Sequence, residues 1–171
     1  MSLKIITAYA AQWGVPVRDW NEADDDLDQK DNGPAAWSVL NWPTKPEIVR
    51  TRFPAKDGSW DRDDNRWPFL LHELAHAACP EPPYDLNELL FTTGFEYLSV
   101  LYLGLSTKVW ERWQGNFGVD DRCGFYYFEE WRDAPLMWRR GKLITACNMS
   151  REMGLFVGGK PTFKIARLNL I

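Results

Sequence analysis

Apolar positions recur at helical spacing in four stretches of this chain and alternate like a strand in only a few short ones. The first stretch predicts a helix over residues 3–13, with Ser2 as its N-cap and Gly14 and Pro16 as its stop. Residues 19–34 then read as an acidic, turn-rich loop. Two extended segments follow, at 36–40 and 47–53. Pro43, Pro46 and Pro54 bound them, which favours edge strands. A polar loop covers 56–66, and the second helix should run from near Pro68, in its first turn, to Cys79, stopping before Pro80. Asp85 is a suitable N-cap for a third helix over 86–103, ended by Gly104. Ser106 can cap a short fourth helix through Trp113. Residues 114–142 are aromatic-rich and give no clear period, and 162–171 alternates roughly like a strand. Few strands and two central helices predict an α+β class.

Length and composition narrow this little. A chain of 171 residues suits a single domain, 1–171, with one core. With 45% hydrophobic and 26% charged residues it has the make-up of a soluble globular protein. Ten Trp residues predict bulky core and groove-lining side chains. A net charge of −4 lacks the basic balance of a duplex binder, so no nucleic-acid partner is expected. No apolar run approaches the roughly 18 residues of a membrane span. Three cysteines, Cys79, Cys123 and Cys147, have no framework spacing; free thiols and a cytoplasmic location are expected.

The chemistry concentrates in one place. The chain has only two histidines, His72 and His76, four residues apart, and Glu73 follows the first. On a helix, positions i and i+4 share a face, so both imidazoles can reach one metal ion, at about 2.0–2.1 Å for zinc. Glu73 projects beside them, where its carboxylate can take a proton from a metal-activated water. Phe69, Leu70 and Leu71 precede the motif, and small Ala75, Ala77 and Ala78 let another element approach. The plain alternative is a buried helix with two satisfied core histidines.

Residues 69–79, FLLHELAHAAC, resemble the active-site helix of zincin metallopeptidases, and the segment around 48–53 is similar to the edge strand that precedes that helix. The resemblance covers about residues 46–104. It implies a zincin-like α+β fold: a small sheet flanking the histidine helix, and a second helix packed antiparallel to it. It also implies Zn2+ held by His72 and His76, with Glu73 as catalytic base. The chain departs from the extended metzincin pattern, since Cys79 stands where its glycine would be and Pro82 where its third histidine would be.

With no histidine left, the third ligand must be an acid, Cys79 or something rarer. Gluzincins use a Glu on the second helix, which here offers Glu88 and Glu96 within a polar stripe of Glu88, Thr92, Glu96 and Ser99. The stripe reads either as a solvated face or as one turned to the metal. Glu96 lies twenty residues beyond His76, a distance that resembles the thermolysin group, while the Asn87-Glu88 pair, with Glu88 twelve residues on, resembles that group's ligand locally. In an antiparallel hairpin, Glu88 lies roughly 4.5 Å into its helix, level with His76, whereas Glu96 lies roughly 16 Å in. Glu88 is therefore the expected ligand, with Glu96, Asp85, Cys79 or no third protein ligand as alternatives. Cys79 reads more simply as a small residue capping the helix in the core.

The acidic runs at 24–31 and 57–64 lack the glycine and closing glutamate of a calcium loop and read as solvated. Trp110, Arg112, Trp113, Trp138, Arg139 and Arg140 could stack on bases, but core packing with cation–π contacts is simpler. Tyr126 and Tyr127 are candidate oxyanion donors that spacing does not separate. The expectation is a zinc metallopeptidase acting on a peptide or protein substrate. The alternatives are a catalytically inactive, zinc-stabilised binding protein and a metal-free interaction protein with a Trp-lined groove. A short chain with no visible propeptide is expected to be narrowly specific or regulated by a partner protein.

Overall fold

A computed structural model describes residues 2–19, 37–40, 45–50, 63–79, 86–116 and 136–165. Most of both acidic runs, Asp85, and the Tyr126 and Tyr127 pair lie outside them, as does the side chain of Glu88. The described elements mix helices with two small sheets, an α+β composition. They fall into two compact units, residues 1–82 with 163–171, and residues 83–162.

In the first unit, α1 (Ser2–Gln12) ends as expected. Gly14 takes φ +75°, its N–H bonds the Ala11 carbonyl and that of Val15 bonds the Ala10 carbonyl, which closes the last turn. The chain then enters a strand that the sequence reading did not assign, β1 (Val17–Asp19), whose last residue it placed in the 19–34 loop. With β2 (Trp37–Leu40) and β3 (Glu47–Arg50) it forms a sheet of order β1-β3-β2. β3 is parallel to β1, with Val17 opposite Ile48, and antiparallel to β2, with Val39 opposite Ile48. The 47–53 segment was expected at an edge; its described part is instead the central strand, and residues 51–53 lie outside the described set. The prolines explain why this is allowed. Pro46 sits just outside β3, so every residue from Glu47 to Arg50 keeps an N–H for the ladder. Arg18 on β1 clamps Glu47 on β3 with two bonds, Nε to Oε2 at 3.0 Å and a terminal nitrogen to Oε1 at 3.2 Å.

The helix α2 (Asp63–Ala78) packs on α1, β2 and β3. It starts five residues before Pro68, which lies in its second turn rather than its first. It ends where expected, the Cys79 N–H reaching the carbonyls of Ala75 and His76.

The second unit holds α3 (Leu86–Tyr102), α4 (Thr107–Asn116), α5 (Leu136–Glu152) and a hairpin of β4 (Phe156–Val157) and β5 (Lys160–Pro161). Gly104, at φ +63°, ends α3 as expected. Ser106 caps α4, its Oγ accepting from the Val109 N–H, and that helix runs three residues past Trp113. The partner of α3 within this unit is α5. Gly94 lies against Ala146, and the Ser150 hydroxyl donates to the Phe91 carbonyl. Position falls on one helix as it rises on the other, so the two run antiparallel. The reading of 162–171 as a strand does not hold for residues 162–165; pairing stops at Pro161. Among the described residues, no helix is long and apolar enough to cross a membrane.

Candidate metal site

Between residues 67 and 79, every side chain is buried except Glu73 and His76. His72, 6% exposed, lies beside them. At 100° per residue the three span one 100° arc of α2. The apolar majority of the described side chains, including Leu70, Leu71 and Leu74, seats the helix in the core of its unit and leaves Glu73 and His76 as its accessible ones among residues 67–79.

The two imidazoles converge. Their Nε2 atoms are 3.0 Å apart, with ring centroids at 4.5 Å and planes at 90°. At that separation two ring nitrogens can share one proton or one metal ion. With Zn–N bonds of about 2.05 Å, a separation of 3.0 Å corresponds to an N–Zn–N angle of about 94°. A tetrahedral angle needs about 3.3 Å, a change that small side-chain rotations supply. The pair therefore fits a zinc ion as two of its ligands.

Among the described residues, no third His, Cys, Asp or Glu completes a metal-holding group with them. Cys79 is fully buried at the end of α2, in keeping with the capping role read from sequence. Glu88 lies on α3, in the second unit, and Asp85 precedes that helix. The described part of the stripe on α3 is not a solvated face: Thr92, Glu96 and Ser99 are all buried. Glu96, 1% exposed, accepts a 2.7 Å hydrogen bond from the indole Nε1 of Trp110 on α4. Sequence reasoning missed this pair. The partners are fourteen residues apart across a turn, with no periodic signal linking them, although Trp110 was correctly read as a core residue. The buried thiol of Cys147 on α5 has its pKa raised by burial, with Arg151 pulling the other way.

Comparison of the chain with protein-family models, with curated proteins and with solved structures finds no match.

Proposed function

We propose that the protein is a zinc-dependent peptidase of zincin type, with His72 and His76 as metal ligands and Glu73 as general base. The observation that carries this reading is the 3.0 Å convergence of two Nε2 atoms on one face of a buried helix, with His76 and Glu73 partly exposed. The third ligand proposed is Glu88, with Glu96 as its competitor. A bound zinc ion would supply Lewis acidity, lowering the pKa of a water and polarising a peptide carbonyl. Glu73 would accept a proton from a water held there and return it to the leaving amine. His72 and His76 fix the position of the centre relative to Glu73, because all three belong to one rigid helix. The sheet on which α2 rests holds the helix itself.

Zinc analysis of purified protein, paired with peptidase assays, tests the proposal. About one zinc per chain is expected, lost in His72→Ala and His76→Ala. Glu73→Gln should keep the metal and lose turnover. Metal-free wild-type protein from zinc-replete medium would overturn the reading. Full peptidase activity in Glu73→Gln would overturn Glu73 as the base, and zinc bound without any peptidase activity in the wild type would make the ion structural and put a zinc-stabilised binding protein in the place of an enzyme.

A further inference from the structure

We infer that Phe163 is a releasable clasp on α1, its ring docked on Tyr9 and Trp13 against a strained backbone. Phe163 has φ +55°, the only positive value at a non-glycine among the described residues. A bulky L-residue rarely adopts that conformation, and it persists only where surrounding contacts hold it. The holding contacts are aromatic. The Phe163 ring meets Tyr9 at 5.9 Å and 73°, and Trp13 at 5.5 Å and 64°, both edge-on, while Tyr9 and Trp13 meet each other at 6.2 Å and 88°.

The backbone on either side is held unequally. Thr162 is fixed twice, its N–H on the Leu155 carbonyl and its hydroxyl on the Gly154 carbonyl, both at 2.9 Å. Beyond it, Phe163, Lys164 and Ile165 make no hydrogen bond among the described residues. The Phe163 ring makes the aromatic contacts by which this segment meets α1. The left-handed backbone at Phe163 offsets part of what its ring contacts contribute. That offset lowers the free energy needed to release the ring, and a docked and a released form are the two states of the clasp. Because α1 packs on α2, release loosens one wall of the unit that carries His72 and His76. The inference stands independently of any bound metal.

Hydrogen–deuterium exchange on the full chain tests it. In the wild type, the amides of Trp13, Gly14 and Val15, bonded to the end of α1, should exchange before those of Leu70, Leu71 and Leu74 in α2. Phe163→Gly removes ring and strain, and Phe163→Ala removes the ring and keeps most of the strain. Both should speed exchange at Trp13 to Val15 by about tenfold or more, with α3 and α5 unchanged and Phe163→Tyr matching the wild type. Unchanged exchange at the end of α1 in both variants would overturn the clasp. Equal acceleration in α3 and α5 would also overturn it, by making Phe163 an ordinary contributor to global stability. Wild-type amides of α1 and α2 exchanging together would do the same.

Discussion

Two glycines in the α3–α5 pair should respond in opposite directions to the same substitution. At Gly94 a Cβ would overlap the carbonyl of Ala146 and stand 2.8 Å from the Cys147 nitrogen. Carbon needs about 3.5 Å from such neighbours, so one helix must retreat by an ångström or more. The obstacle is backbone, which has no rotamer to yield. Overpacking a core costs about 1–3 kcal/mol, and a backbone obstacle puts this site at about 3 kcal/mol. Alanine recovers about 1 kcal/mol through its helix propensity. Gly94→Ala should therefore destabilise by about 2 kcal/mol, lowering Tm by about 4–8 °C in a protein of this size. At Gly141, also helical, a Cβ meets nothing within 4 Å. Gly141→Ala should stabilise by about 0.5–1 kcal/mol through backbone entropy alone. Urea and thermal unfolding followed by circular dichroism measure both. If Gly94→Ala is as stable as Gly141→Ala, the close crossing of α3 and α5 is wrong.

Four further outcomes are expected. Glu73→Gln should lower peptidase turnover by about 10²–10⁴-fold with zinc content unchanged, read by metal analysis beside a cleavage assay. Glu88→Ala should weaken zinc binding in a chelator competition; if Glu96→Ala strips the metal and Glu88→Ala does not, the twenty-residue spacing was the better guide. Trp110→Phe takes the indole donor from a buried carboxylate, so it should cost about 1–3 kcal/mol in urea unfolding, and no loss would deny the Glu96 bond. The raised pKa of Cys147 favours the neutral thiol in the fold, so its contribution is complete below the unfolded thiol's pKa. Stability should fall as pH rises from there through the folded value, and Cys147→Ala should flatten that stretch of a stability–pH curve.

Where the fold was legible, the signal was local. The ends of α1 and α3 were marked by Gly14 and Gly104, and the start of α4 by Ser106, because caps are set by residues within one turn. The helix α5 was not read, and its buried face explains why. Ala146, Cys147 and Ser150 face the crossing with α3, so the described part of the seam is made of small side chains rather than the large apolar ones that reveal a period. Gly141 in its second turn adds a further misleading signal. The central place of β3 was hidden for another reason. Strand order depends on which segments meet, and β1 is only three residues long, too short to show alternation.

The same division runs through the candidate site. His72, Glu73 and His76 could be placed together from spacing alone, since a single helix carries all three and its geometry is fixed by its own hydrogen bonds. A ligand from elsewhere in the chain has no such guarantee. The choice between Glu88 and Glu96 rested on an assumed hairpin, and a polar stripe on a helix wheel cannot tell a solvated face from a buried one. Burial of Thr92, Glu96 and Ser99 removes the solvated alternative for that part of the stripe. A carboxylate at 1% exposure is costly unless partnered, and the Trp110 indole meets part of that need. Glu96 thus has a structural reason to be conformationally fixed whether or not it touches a metal. Loss of stability in a Glu96 variant therefore says nothing about ligation, and only the variant's metal affinity, measured on folded protein, separates the two roles.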